Sequence, residues 1–293
     1  MAALTIMARP TPDTPVKPSG LESFGILSDP SSKLERGSDE SNNVETRVWA
    51  TTLSQYKPDN RTAMMDCQLF YQAVMVGGFP RPTPGQCDDF REYATTEGGI
   101  VRPREAAMFL TQVLWESNGL RSKEEHVCAG NQCPGNYTTD NDFSYTEKQG
   151  DQTRTVVNQY YGRGYIQLTW SYNYLAASKS MYGDDRLYKN PQLVASDEMT
   201  AWRTSFWFWK QHVHDIKEVQ DGQFGASTRA INGGLECDGP YQDKARLRFE
   251  LYTKILKIVE PDTTPDPAGC YSVDSNTNTN TNTNGTSNSN SNS

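Results

Sequence analysis

The 293-residue sequence contains no run of about 18 apolar residues, the length that a membrane-spanning helix needs. It also lacks a stretch rich in lysine and arginine, and its formal net charge is -8. Because nucleic-acid-binding proteins usually present a basic patch, the sequence predicts a protein that binds neither membranes nor nucleic acids. An acidic chain can still bind a neutral polymer. Its 15 Tyr and 6 Trp offer flat, partly polar rings on which sugars can stack.

The six cysteines predict three disulfides and an oxidising, extracellular compartment. Cys128 and Cys133 lie close in sequence, but no second pair of Cys or His follows at the spacing of a zinc site. We therefore predict no metal. The N-terminal residues do not form a convincing signal peptide, because their apolar stretch is short and prolines follow at once.

Hydrophobic residues make up 35% of the chain and are unevenly distributed. Residues 1–45 carry five prolines among Ser, Asp and Glu, which is typical of a linker or a disordered segment. Residues 271–293 form a low-complexity tail of Asn, Thr and Ser that cannot bury a core. We therefore predict one folded domain over residues 46–270.

The spacing of apolar residues in this domain predicts a mainly α fold with long loops and few short strands. The predicted helices cover residues 62–76, 104–115, 172–181, 199–210 and 242–258. Residues 77–87 are predicted to form a Gly/Pro loop, and residues 166–169 are a candidate short strand. The polar stretch of residues 134–159 is long for a structureless loop, which indicates a functional one.

Glu116 ends the most clearly helical segment, REAAMFLTQVLWE, which is mostly apolar. Burial beside apolar side chains raises the pKa of a carboxyl, which suits a general acid near neutral pH. A surface glutamate at a helix end is the alternative.

Glu124 and Glu125 follow on a loop before Cys128. They are either solvated charges or the source of the second carboxylate that inverting glycosidic hydrolysis requires, about 6.5 to 9.5 Å from the first.

The strongest local pattern is YYGRGYIQLTWSYN, residues 160–173. Its Gly-Arg-Gly triplet permits a tight turn, and Gln167, Thr169 and Asn173 offer neutral hydrogen-bonding groups near aromatic residues. That mixture suits the acetamido and hydroxyl groups of a sugar. It does not suit phosphate, since no Lys-Ser or Lys-Thr pair follows. The alternative is a buried turn whose polar groups satisfy the backbone.

Four motifs in this order resemble the family 19 glycoside hydrolases, the plant-type chitinases. Residues 160–173 look like the family's YYGRGPIQL signature, and AAMFLTQVLWES looks like the helix that ends in the acid. NPQLVASDEMTAWRTSFWFW and INGGLEC match two further family motifs. The likeness extends over roughly residues 62–260, and CAGNQCPG is similar to the compact, non-plant branch. The resemblance implies a lysozyme-like helical domain.

The resemblance also implies an inverting endochitinase that cleaves β-1,4 linkages between N-acetylglucosamine units, without a cofactor. Glu116 falls on the proton donor, Glu125 on the general base and Thr169 on the hydroxyl that holds the attacking water. Glu124 competes with Glu125, because the loop carrying the base is shorter here than in plant members. The implied substrate-binding residues are Gln167, Asn173, Asn232, Tyr161 and Trp170.

By the same resemblance, Glu236 and Arg246 form a charge network that supports the acid, with Arg248 as a competitor for Arg246. Tyr165 replaces the proline of the plant signature. The implied disulfides are Cys67–Cys87, Cys128–Cys133 and Cys237–Cys270.

Two other functions are weighed against a chitinase. Lysozyme-like helical domains also cleave peptidoglycan, and a relative that has lost one acid would bind chitin without cleaving it. We predict a monomer whose partner is chitin or a chitooligosaccharide.

Overall fold

The computed structural model describes residues 64–128, 133, 137–139 and 142–270. The predictions for residues 1–45 and 271–293 lie outside the described residues. The predicted mainly α fold is confirmed, and no helix among the described residues is long and apolar enough to cross a membrane. The α-helices are α1 Cys67–Val76, α2 Pro84–Thr96, α3 Pro103–Glu116, α4 Ser171–Tyr182, α5 Arg186–Lys189, α6 Leu193–Ser196, α7 Glu198–His212, α8 Lys217–Gln220, α9 Phe224–Glu236 and α10 Gln242–Val259.

Helix α3 lies in the core and carries Glu116 at its C-terminal end. Pro103 begins it, where the missing N–H costs nothing because the first helical N–H groups have no intrahelical acceptor. Nearly all of its residues from Glu105 onward are buried, since apolar side chains occupy more than one face. Helices α9 and α10 pack against it, so Glu116, its last residue, lies where three helices meet.

Helix α7 joins the core to the segment of residues 160–173. The Asp197 side chain caps it by accepting a hydrogen bond from the Thr200 N–H at 2.8 Å. Phe206 stacks on Phe109 of α3 with ring centroids 4.2 Å apart, and Trp202 contacts Tyr165 at 4.7 Å. These large buried rings hold the two segments together.

Five of the helices in the described residues were not predicted: the four-residue helices α5, α6 and α8, and the longer helices α2 and α9. Helix α2 begins inside the predicted loop of residues 77–87, where Thr83 and Gln86 form a reciprocal capping box and Pro84 is the first helical residue. Those start signals are present in the sequence. Helix α9 contains two adjacent glycines, which weaken its helical sequence pattern. In the structure, the backbone of Asn232 departs from helical geometry at φ -145° and ψ 32°.

The stretch of residues 134–159 contains an antiparallel hairpin, β1 Ser144–Gln149 and β2 Gln152–Val157, where only a loop was predicted. Most of its side chains are exposed, so the strands lack the alternation of apolar and polar residues that identifies a half-buried strand. The candidate strand at residues 166–169 reduces to one isolated bridge between Arg163 and Leu168.

The three disulfides pair as the family resemblance implied. Cys67–Cys87 joins α1 to α2, and Cys237–Cys270 ties the end of α9 to the chain after α10. Cys128–Cys133 closes a short loop directly after Glu125.

Candidate active site

Glu116, the predicted acid, is 3% exposed. Its Oε1 accepts a hydrogen bond from Arg248 Nη2, while its Oε2 accepts none from the described residues. Burial, opposed by the attraction of Arg248 and helped by the neighbouring Glu236 carboxylate, raises the pKa of Glu116 to about 7. Near neutral pH the carboxyl therefore retains a proton on a substantial fraction of molecules.

Arg248 links two buried carboxyl groups. Its Nε donates to Glu236 Oε2 at 2.7 Å, and its Nη2 donates to Glu236 Oε1 at 2.8 Å as well as to Glu116. One guanidinium thus faces two acids, so a buried net negative charge arises if both ionise. Arg248 thus pairs with Glu236 at two points and with Glu116 at one, and Glu116 is the carboxyl whose pKa is raised by burial.

The arginine of this network is Arg248, which corrects the prediction of Arg246. Residues two positions apart on a helix point about 200° apart, so only one of the pair can face α3. Arg248 is fully buried and Arg246 is exposed. The sequence contains a signal for this choice, since Leu251 and Tyr252 continue the apolar face three and four positions after Arg248.

Asn232, predicted to contact substrate, lies beside the same network. Its Nδ2 donates to Glu236 Oε1 at 2.9 Å, and its Oδ1 accepts no hydrogen bond from the described residues. The break in helical geometry at Asn232 occurs where this side chain meets Glu236.

Glu125, the predicted base, is 6% exposed. The Tyr137 hydroxyl donates to its Oε1 at 3.1 Å. Its backbone N–H donates to Gly162 O at 2.9 Å, and its own carbonyl accepts from the Cys128 N–H at 2.9 Å. Glu125 is therefore held between the family signature and the Cys128–Cys133 loop.

Glu124 faces a different partner. Its Oε1 accepts a hydrogen bond from the Tyr161 hydroxyl at 3.0 Å and lies 3.9 Å from Arg163 Nε. Arg163 is fully buried, with its guanidinium carbon 3.5 Å from the centre of the Tyr161 ring. Because a buried arginine requires a counter-charge, Glu124 has a structural role beside Arg163.

The signature segment is compact and satisfies much of its own backbone. Gln167 Nε2 donates to Gly164 O at 2.8 Å, and Thr169 Oγ1 donates to Gln167 O at 2.9 Å. Asn173 Nδ2 donates to Thr169 O at 2.9 Å. These hydrogen bonds agree with the alternative interpretation, a buried turn whose polar side chains satisfy its own backbone. However, Gln167 Oε1 accepts no hydrogen bond from the described residues.

Left-handed backbone also marks this segment, since Gln167 has φ 57° and Trp170 has φ 74°. Non-glycine residues in this region are strained, and such strain clusters at functional sites. The half-buried Trp170 ring lies 5.8 Å from Tyr137, whose ring is 6.4 Å from Tyr161. The rings predicted to bind sugar thus meet around the tyrosine that contacts Glu125.

Sequence reasoning missed two polar residues of the site. Gln112 lies one turn before Glu116 and accepts a hydrogen bond from Arg248 Nη1 at 2.8 Å. Its spacing of four from the acid was an available signal. Tyr137 lies in the stretch predicted as a loop, where no periodic pattern identifies it.

One group of potential metal ligands lies at the predicted base. The Glu125 carboxylate and the sulfurs of Cys128 and Cys133 lie within 4.8 Å of one another. The two sulfurs are bonded to each other, so they offer no thiolate to a metal ion.

Comparisons with known proteins agree with the family motifs. Residues 85–220 match the family model described as chitinase class I, a span that includes Glu116, Glu125 and Thr169 but ends before α9. A crystal structure of a mutant chitinase C is 29% identical, with a TM-score of 0.50 over 72% of this chain and 98% of that chain. Its likeness agrees with a lysozyme-like, mainly α fold.

Two plant relatives match shorter stretches. An acidic endochitinase of Beta vulgaris is 47% identical over 96 residues, which cover 33% of this chain and 32% of the relative. Chitinase 4 of Oryza sativa subsp. japonica is 35% identical over 150 residues, covering 51% of this chain and 47% of the relative. The chain thus spans less than half the length of these two relatives. The comparisons and the ordered motifs thus agree in making this chain similar to the chitinase class I family.

Proposed function

We propose that this protein hydrolyses the β-1,4 linkages of chitin or chitooligosaccharides, with Glu116 as the general acid. The observation that carries the proposal is the buried Glu116 carboxyl, whose raised pKa keeps a proton near neutral pH and whose Oε2 receives no hydrogen bond from the described residues. The substrate class is supported by the relatives, which are named endochitinase and chitinase.

In the proposed reaction, Glu116 Oε2 protonates the glycosidic oxygen as the bond to the leaving sugar breaks. Arg248 supports this step because it is paired with Glu236 while Glu116 holds its proton and attracts Glu116 once that side chain has become a carboxylate. For the next turnover Glu116 takes up a proton from solvent, and Glu125 releases to solvent the proton that it took from the attacking water. These proton transfers involve side chains alone, so we propose no cofactor.

The second carboxylate in this proposal is Glu125, which removes a proton from the attacking water on the opposite face of the sugar. The Tyr137 hydroxyl donates a hydrogen bond to Glu125, and the neighbouring Glu124 is engaged with Arg163 and Tyr161. A base and an acid on opposite faces invert the anomeric centre. Thr169 is the hydroxyl proposed to hold the water, with Gln167, Asn173, Asn232, Tyr161 and Trp170 binding the sugars.

Digestion of a chitin hexamer, followed by proton NMR, tests the proposed function. We expect shorter oligomers whose newly formed reducing ends are initially α, because inversion of a β linkage yields the α anomer. New β ends would contradict the inverting mechanism. Binding of the hexamer without any cleavage would support a sugar-binding protein, and cleavage confined to bacterial walls would support the peptidoglycan alternative.

Paired amide substitutions distinguish the two neighbouring acids. We expect Glu125→Gln to lower kcat by about two to three orders of magnitude, because removal of a general base typically costs this much. Glu124→Gln retains the Tyr161 contact and weakens the attraction to Arg163, so we expect lower stability with most of kcat retained. Initial rates and thermal unfolding of both variants provide the test. The opposite ranking of the two rates would assign the base to Glu124.

We also propose that residues 46–270 form the catalytic domain and that it acts outside the cell as a monomer. Three disulfides within the described residues support an oxidising compartment.

A further inference from the structure

We propose that Gln112 is a positioning residue that draws one N–H group of Arg248 away from Glu116 and so leaves Glu116 Oε2 free to carry the donated proton. This inference deepens the proposed function and rests on Glu116 being the acid. It assigns a task to a buried polar residue that neither the motifs nor the family resemblance singled out.

The orientation of the Gln112 amide is determined by its surroundings. The side chain is fully buried, and its Nε2 donates to Ser227 Oγ at 2.9 Å and to Thr228 Oγ1 at 3.0 Å. The Ser227 hydroxyl already donates to Phe224 O at 2.8 Å, so it has no proton left and must accept from Gln112. The Ser227 and Thr228 contacts together hold the amide nitrogen towards α9 and turn Oε1 towards Arg248.

In this orientation, Gln112 Oε1 accepts a hydrogen bond from Arg248 Nη1 at 2.8 Å. The other two nitrogens of the guanidinium, Nε and Nη2, donate to Glu236 and Glu116. Arg248 therefore contacts Glu116 through a single nitrogen and a single oxygen. That one-point contact is weaker than the parallel two-point pairing that Arg–carboxylate pairs often adopt.

Loss of the Gln112 acceptor would leave a buried N–H of a charged group without a partner, which is costly. Glu116 Oε2 is a buried carboxyl oxygen that receives no hydrogen bond from the described residues. A guanidinium released from Gln112 can satisfy Nη1 by turning towards this oxygen. Two-point pairing would favour the ionised form of Glu116 and occupy the atom that delivers the proton.

Two substitutions should shift the acid in opposite directions. Gln112→Met keeps the volume and removes the acceptor, so we expect the pKa of Glu116 to fall by about one unit, a tenfold change in its protonation equilibrium. Gln112→Glu keeps an acceptor for Nη1 and adds negative charge beside the network, so we expect the pKa of Glu116 to rise. A purely structural role for Gln112 predicts no such change of sign.

The measurement is carbon-13 NMR titration of the full chain labelled at glutamate carboxyls, with the Glu116 signal identified by its absence in Glu116→Gln. The descending limb of the pH profile of kcat/KM on the chitin hexamer should move in the same direction as each pKa. Unshifted pKa values in both variants, or shifts of the same sign, would overturn the inference. The titration requires no turnover, so it gives a result even if the protein does not cleave chitin.

Thr228→Val provides a second route to the same result if Gln112→Met does not fold. It removes one of the two anchors of the amide and preserves the side-chain shape. We expect a smaller fall in the pKa of Glu116, in the same direction as for Gln112→Met. A pKa equal to that of the wild type would show that the amide anchors do not control Arg248 and would contradict the proposal.

Discussion

Replacement of Glu116 by Gln is expected to lower kcat on chitin oligomers by about three orders of magnitude, within the range typical of a lost general acid. The amide preserves the shape of the side chain but has no proton acidic enough to donate to the glycosidic oxygen. Steady-state kinetics on the chitin hexamer, together with the binding constant of the variant, provide the measurement. We expect binding to be retained, because the substitution leaves the aromatic residues and polar amides unchanged.

The matched control is Glu105→Gln at the other end of the same helix. Glu105 is also buried, but it accepts hydrogen bonds from Trp209 Nε1 and pairs with His214 rather than with Arg248. This variant should lose stability and retain kcat when folded. Equal losses of kcat in the two variants would indicate a general disturbance of α3, and a fully active Glu116→Gln variant would refute the assignment of the acid.

The Glu116→Gln substitution should also change how the unfolding free energy depends on pH. The pKa of Glu116 is about 7 in the folded chain and 4.5 in an ordinary solvated state. Between these values the native state holds a proton that the unfolded state has lost, so the wild-type unfolding free energy decreases as pH rises. The decrease attributable to Glu116 is about 3 kcal/mol. Denaturant unfolding at pH 5 and pH 8 should show this decrease in the wild type and its absence in Glu116→Gln.

The second large effect concerns stability. We expect Arg248→Met to lower the unfolding free energy at pH 8 by about 3 to 5 kcal/mol, because removal of one partner leaves buried charge uncompensated. Glu116 and Glu236 are both buried, and Arg248 is the cation that pairs with each of them. At pH 5 the cost should be smaller, since the acids can take up protons when the guanidinium is absent.

Arg246→Met is the matched control for this experiment. It makes the same chemical change two residues earlier on α10, at an exposed position, and should alter the unfolding free energy by no more than about 0.5 kcal/mol. Adding Glu236→Gln to Arg248→Met should recover part of the lost stability by removing one unpaired carboxylate. Equal destabilisation by the two arginine variants would mean that the charge network does not depend on Arg248.

Several parts of the fold were predictable from local sequence. The helices α3, α4, α7 and α10 are close to their predicted bounds, because apolar spacing and terminal residues act within a few turns of the chain. The capping box before α2 is an equally local signal that the prediction overlooked. The hairpin offered no comparable signal, because neither of its strands contributes an apolar face to the core.

The sequence by itself determined the family resemblance, the mainly α fold and the position of an acid at the end of an apolar helix. Only the tertiary structure decided which neighbouring charges serve that acid. Arg248 rather than Arg246 faces α3, Glu124 pairs with Arg163, and Gln112 joins the network through Arg248. A motif specifies the types of residues and their order along the chain. The partner of a buried charged side chain depends instead on which faces of two helices come within hydrogen-bond distance of each other.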